Sequence, residues 1–206
     1  MSSLAKRAMP AMLPHRGPAW AAGYNRAMTM FPLRPMAAAD LPAVLAVQAA
    51  CYTEVLLESR DALASRLALS PTTCWVADDP RQPGTLAAYL FTHAWPETSL
   101  PPLDGLLDDG SRQAAAPAPL TWFVHDMAVA PTGRGGGLAA RLYAAAQAAA
   151  LAAGLKHSRL IAVQSAAPWW RRLGYAPVAA ETAARHAGEL ADYGAAAILM
   201  ERTLAG

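Results

Sequence analysis

The stretch Val124-His-Asp-Met-Ala-Val-Ala-Pro-Thr-Gly-Arg-Gly-Gly-Gly-Leu-Ala139 decides how the chain is read. Its approach, from Leu120 to Val129, is β-branched, aromatic and apolar, and reads as a strand. Pro131 ends that strand because it has no N–H to give a ladder. Four glycines within Gly133–Gly137 let the chain turn tightly and leave its amides uncovered. An Ala/Leu-rich run then continues from Leu138 to Ala153 and stops at Gly154, the pattern of a helix with a glycine terminator. Strand, glycine loop and helix start together aim free N–H groups and a partial positive charge at one point, and Arg134 adds a full charge. A phosphate or pyrophosphate suits that point.

The loop lacks the Gly-Lys-Ser/Thr ending of a P-loop, so no lysine reaches a γ-phosphate and no hydroxyl serves magnesium. It also lacks the Gly-x-Gly-x-x-Gly order of a dinucleotide site. What stands there is Arg-x-x-Gly-x-Ala, at Arg134, Gly137 and Ala139, after a strand ending Val-x-Pro. A second block follows at the distance of one helix and one strand: Trp169-Trp170-Arg-Arg-Leu173-Gly174-Tyr175. The first block resembles the acyl-CoA loop of the GCN5-related N-acetyltransferase (GNAT) family, and the second its Phe-Tyr-x-x-Leu-Gly-Phe. The resemblance runs from about Thr29 to Leu204.

Composition fits one α/β domain. A chain of 206 residues buries a real core without staples. Its formal charge of +2 does not suggest a nucleic-acid partner. Cys51 and Cys74 are too few for a disulfide framework and read as free thiols in a reducing, cytoplasmic setting. No apolar run has the length of a membrane span, so no membrane partner is expected. Residues 1–27 are basic, acid-free and without apolar periodicity; they read as a disordered extension, with a transit-like leader as the alternative. Residues 28–206 read as the single acetyltransferase domain, with Met28 or Met30 as a working start.

Within that domain, Thr29–Arg34 reads as the first strand, with Pro32 pointing to an edge position or a bulge. Asp40 is placed to cap a helix from Leu41 to Ala50, and a second helix is expected over Glu58–Leu69. Cys74–Asp78 and Leu86–Thr92 read as a hairpin, followed by a long loop from Pro96 to Pro119. After the central strand and its helix come a strand near Ser158–Val163, a short helix near Pro168–Leu173, and strands near Tyr175–Ala179 and Ala196–Thr203. The resemblance implies the acetyltransferase fold: a mixed, largely antiparallel sheet flanked by helices, with central strands splayed around acyl-CoA.

The resemblance further implies acetyl-CoA as acyl donor, with no metal, and a small-molecule or peptide amine as acceptor. Pantetheine would lie against the backbone of Met127, Ala128 and Val129. The pyrophosphate would sit on Arg134, Gly135, Gly136, Gly137, Leu138 and Ala139, with Trp170 beside the arm. Tyr52 and Glu54 would line the acceptor side, and Trp95 and Trp122 would form walls. The resemblance implies Glu58 on the acceptor side as well, but by itself Glu58, like Asp104, Asp108 and Asp109, reads as solvated surface charge. A homodimer is compatible with the reading.

Transfer to an amine needs the neutral base. An alkylamine titrating near 10.4 lies roughly 4.6 kcal/mol from that form at pH 7. His125 is the candidate general base: imidazole ordinarily titrates near 6.5, and period-two alternation puts it on the face of Phe123 and Met127. A histidine at the corresponding place in the serotonin N-acetyltransferase branch is associated with this role. The competing reading is a histidine hydrogen-bonded within the sheet. The same alternation sends Asp126 to the opposite face as a structural anchor. One departure stands out. The tyrosine that often protonates the departing thiolate falls at Trp170, which cannot act as that acid. Tyr175, Ser165 or water are substitutes, or the thiolate leaves unassisted. The departure keeps open a second class, a catalytically silent acyl-CoA-binding or sensing module.

Overall fold

A computed structural model describes residues 31–110, 118–163 and 165–204. The leader, the start of the first expected strand and part of the long loop lie outside the described residues.

The described chain runs β1 (Leu33–Pro35), α1 (Leu41–Cys51), α2 (Arg60–Leu69), β2 (Trp75–Asp78), β3 (Leu86–Pro96), β4 (Leu120–Val129), α3 (Leu138–Ala152) and β5 (His157–Ala162). It continues through α4 (Ala167–Arg172), β6 (Ala176–Pro177), α5 (Ala180–Arg185), α6 (Ala187–Asp192) and β7 (Ile198–Thr203). The strands form one seven-stranded sheet in the order β1-β2-β3-β4-β5-β7-β6. Every pairing is antiparallel except β4 with β5. β1 lies at an edge, as its proline context predicts.

Two layers cover the sheet. On one side α3 buries Leu138, Leu142, Tyr143, Ala146 and Ala150, a helical stripe that packs on Leu90, Trp122 and Val124. On the other side Val44 and Val47 of α1 and Leu63 and Leu67 of α2 pack on Val76, Tyr89 and Phe91. Asp40 does precede α1, but its carboxylate does not cap the helix. It takes the Ala37 N–H and two bonds from Arg34, which also binds Asp78. Ser59 caps α2 through the Ala62 N–H, so that helix starts two residues later than the apolar pattern indicated.

β4 is the element that shapes the rest. Opposite it on β3, Phe91 faces Asp126 and Thr92 faces Val124, which makes His125 the extra residue of a β-bulge. On its other edge β4 pairs with β5 only from Trp122 to Val124, against Ser158 to Leu160. Beyond Val124 the two parallel strands run on to Val129 and Ala162 without pairing to each other, and a cleft opens between them. The bulge also resets the side-chain alternation. Trp122 and Val124 face α3, and after the bulge so do Met127 and Val129. His125 and Asp126 both face α1 and α2 instead. His125 meets Glu58 and Arg66, and Asp126 meets Tyr52 and Tyr89. Simple alternation therefore misplaced Asp126 opposite His125, and put His125 with Met127.

The glycines after β4 divide by their surroundings. A Cβ at Gly133 would stand 2.9 Å from the Ala87 carbonyl oxygen, whereas one at Gly136 would meet nothing within 4 Å. Gly133→Ala should therefore destabilise the fold by roughly 1–3 kcal/mol, the usual cost of overpacking. Gly136→Ala should stay within about 0.5 kcal/mol. Denaturant unfolding of the two variants checks the contrast.

Candidate active site

The cleft between β4 and β5 leads into a cavity of about 340 Å³. One end reaches Arg134 and Ala139 at the glycine loop; the other is walled by Leu56, Glu58, Leu103 and Tyr193. The chain enters α3 from Gly137 in the left-handed region, φ 69°, and no side chain caps the helix. The first helical bond runs from the Arg141 N–H to the Gly137 carbonyl, so the amides of Leu138, Ala139 and Ala140 have no helical partner. Gly135, Gly136 and Gly137 are exposed with open space on their Cβ sides. An anion can approach this backbone closely.

Along the cleft the open edge of β4 is served by side chains rather than by a strand. Tyr52 Oη lies 2.9 Å from the Met127 carbonyl and 2.7 Å from Asp126 Oδ1, its one proton shared between the two, and the Val129 carbonyl accepts from Arg134 Nε and Cys51 Sγ. Each carbonyl oxygen has two lone pairs, so further acceptance remains open. Trp169 and Trp170 stand at the far wall, 4.6 Å apart between ring centroids. Trp170 also packs on Tyr143 and Tyr175, so its core and cavity roles coincide.

At the inner end sits a buried ionic cluster. Arg66 is 0% exposed and Glu58 5%. Arg66 Nη2 is 2.7 Å from Glu58 Oε1, which also accepts the Asp104 N–H at 2.9 Å. The other carboxylate oxygen lies 2.7 Å from His125 Nε2, and Arg66 Nε lies 2.7 Å from the same nitrogen. That nitrogen either donates to Glu58 or accepts from Arg66, because one ring nitrogen cannot do both. His125 Nδ1 is buried and has no partner. Burial pushes the Glu58 carboxyl up. His125, Arg66 and the Asp104 amide outweigh it and hold the group at about 2.

Asp126 lies alongside, accepting from Tyr52 Oη at 2.7 Å and Tyr89 Oη at 2.6 Å. Burial raises its carboxyl while the two hydroxyls pull it down. Asp126 is thus held by two tyrosines. His93 is fully buried behind His125, with ring centroids 5.5 Å apart. Burial and the neighbouring His125 and Arg66 press it well below the usual histidine range, so it is neutral.

A family model described as the acetyltransferase (GNAT) domain matches residues 70–177. The chain belongs to the GNAT family. This GNAT chain resembles Chaetomium thermophilum Naa20, solved with a bisubstrate analogue, at 19% identity and TM-score 0.57, over 84% of this chain and 86% of that one. It resembles the GphF GNAT-like decarboxylase, solved with isobutyryl-CoA, at 18% identity and TM-score 0.57, over 84% and 100%. It also resembles the ribosomal-protein-S18-alanine N-acetyltransferase of Escherichia coli at 17% identity and TM-score 0.56, over 86% and 97%. At these identities the likeness is one of fold. No curated protein sequence matches the chain.

Against the GNAT frame, the structure gathers Tyr52, His125, Met127, Ala128, Val129, Arg134, Ala139 and Trp170 around one cavity. Gly135, Gly136 and Gly137 flank its mouth, and Leu138 contributes only backbone there because its side chain is in the core. Glu54, Trp95 and Trp122 are not brought to it. Glu54 is exposed on the α1–α2 connection. Trp122 packs under α3, and Trp95 in a cluster with Phe123 and Leu199. Tyr175 is excluded as a cavity acid too, since its hydroxyl is buried against Ser158 and Tyr143. Ser165 is exposed and does not line the cavity.

One residue was misjudged in the sequence reading and another escaped it. Glu58 is buried instead of solvated, and the signal for it is Arg66, a cation inside the Ala62-Leu63-Leu67 stripe of α2. Tyr193 follows two short helices within what had read as one connection between strands. The expected exposure of Asp104 holds, but it is not idle: its carboxylate takes the Ser59 N–H.

Glu58→Gln leaves Arg66 buried without its counter-charge. It should cost about 3–5 kcal/mol of stability at pH 7, read by denaturant unfolding. A carboxyl depressed on folding stabilises above its unfolded value and loses that contribution as pH falls towards the folded one. The difference between parent and variant should therefore shrink as pH drops from about 4.5 towards about 2.

Proposed function

We propose that the chain is an acetyl-CoA-dependent N-acetyltransferase that acts on a primary amine with His125 as general base. The observation that carries the reading is the continuity of one cavity from the uncapped helix start to His125 along the open edge of β4. In this reading the domain spans residues 28–206, acts without a metal, and works in the reducing cytoplasm, where Cys51 and Cys74 stay free.

The residues present fit the cofactor. Leu138, Ala139 and Ala140 offer unpaired amides, and Arg134 adds charge for a pyrophosphate. Met127 and Val129 present carbonyls to an amide-bearing arm, and Trp169 and Trp170 cover its apolar length. Bound there, acetyl-CoA supplies an activated acetyl group whose thiolate departs with a reference pKa of about 8.5.

His125 does the proton work. With the Nε2 proton turned to Glu58 Oε2, the ring is fixed in one tautomer and Nδ1 keeps its lone pair. That nitrogen takes the ammonium proton of the acceptor, directly or through one water. Glu58 then steadies the imidazolium that results. Arg66, spent on Glu58 and on three backbone carbonyls, locks the carboxylate in place.

His125→Gln keeps polarity but removes the base. Acetylation of an alkylamine near neutral pH should fall by about 10²–10⁴-fold, and the loss should shrink at high pH or with an arylamine that arrives neutral. Full activity on alkylamines at pH 7 would return His125 to a structural role. A parent protein that binds CoA but acetylates no amine would favour the silent module. The cofactor half has its own check. Gly136 lies outside the left-handed region and has open space on its Cβ side, whereas Gly137 at φ 69° would add strain. Gly136→Leu should keep the parent's melting temperature while weakening CoA binding at least about tenfold by calorimetry. Unchanged affinity would place the cofactor elsewhere.

A further inference from the structure

The inner end of the cavity is apolar in its walls, with Leu56, Leu103, Ile161 and Val163 around Tyr193. Its charges are already committed. Four of the five N–H donors of Arg66 are in use, on the carbonyls of Ala62, Gly105 and Pro102 and on Glu58, and the fifth, at Nε, is sealed against His125 in a side chain that is 0% exposed. Glu58 in turn holds Arg66, the Asp104 amide and His125. Both Asp126 oxygens accept tyrosine hydroxyls. A second ammonium on a substrate would meet no uncommitted anion here, and a carboxylate would meet no uncommitted cation. Burying either charge unpaired is expensive.

Among the described residues that line the cavity, two polar side-chain atoms are buried without a partner: His125 Nδ1, assigned above to the acceptor nitrogen, and the Tyr193 hydroxyl; the unpartnered nitrogens of Gln48 and His93 lie outside the lining. Burial, with Glu58 nearby, raises Tyr193 above its ordinary range, so it is a neutral phenol with one O–H to give. Tyr52 cannot do the same, because its hydroxyl is occupied by Asp126 and the Met127 carbonyl.

We propose that the acceptor is a primary amine whose remaining body is uncharged and mainly apolar, carrying a neutral oxygen that accepts the Tyr193 O–H. This rests on the N-acetyltransferase reading and narrows it. Free amino acids and diamines are excluded by charge and not by size.

The test uses linear primary amines of three to six carbons, each ending in a methyl, hydroxyl, carboxylate or second ammonium group. Acetyl transfer is followed with the parent and with Tyr193→Phe, and binding of the same amines to the CoA complex by calorimetry. At the best chain length the methyl and hydroxyl forms should exceed both charged forms by at least about 100-fold in kcat/KM. The hydroxyl form should lead the methyl form by about tenfold, and Tyr193→Phe should bring that ratio near one. A carboxylate or diamine used as well as the neutral amines overturns the charge argument. A hydroxyl preference that survives in Tyr193→Phe overturns the role of Tyr193. Selective binding of neutral amines with no acetylation supports this inference and sinks the transfer reading; neither binding nor acetylation of any amine sinks both.

Discussion

A backbone edge left without a strand is the constraint on which the rest depends. Buried N–H and C=O groups need partners, and β4 has them on both sides only as far as Val124. The bulge at His125 turns the strand away from β5, and the exposed edge has to be satisfied by something else. In this protein Tyr52, Cys51 and Arg134 supply donors to Met127 and Val129. The cavity is the space that the missing ladder leaves. A disruption of pairing thus becomes a channel whose lining is backbone.

The same bulge explains why chemistry collects at the inner end. By adding one residue it sends His125 and Asp126 to the same side of the sheet, beneath α1 and α2. Glu58 enters from the connection before α2 and Arg66 from the helix itself. The long loop after β3 closes the cluster, since its carbonyls at Pro102 and Gly105 cap Arg66 and its Asp104 amide caps Glu58. The bonds that hold that loop over the cavity also hold Glu58 and Arg66 against His125.

Much of this was legible in the sequence. Leu120–Val129 and the start of α3 were read at their observed bounds, because a β-branched apolar run, a proline stop and a glycine-to-alanine transition each have one local solution. The glycine loop before α3 was legible for the same reason: its geometry is set within a dozen residues. The bulge was not legible, because it is decided by register against β3, some thirty residues earlier in the chain. Strict alternation then carried Asp126 to the wrong face. Glu58 was misread because a lone acid beside a helix start is ordinarily solvated; only its pairing with Arg66 buries it. Trp95 and Trp122 were assigned to the acceptor wall by resemblance, but their places in the core follow from the faces of β3 and β4.

The most direct test of the central claim is an experimental structure of the protein with CoA bound. The account predicts the pyrophosphate on the amides from Gly135 to Ala140, and the pantetheine amides bonded to the β4 backbone between Met127 and Val129. It also predicts the sulfur within reach of a group held at His125 Nδ1. A cofactor bound outside the β4–β5 cleft, or a β4 edge that closes onto β5 when CoA binds, would contradict it.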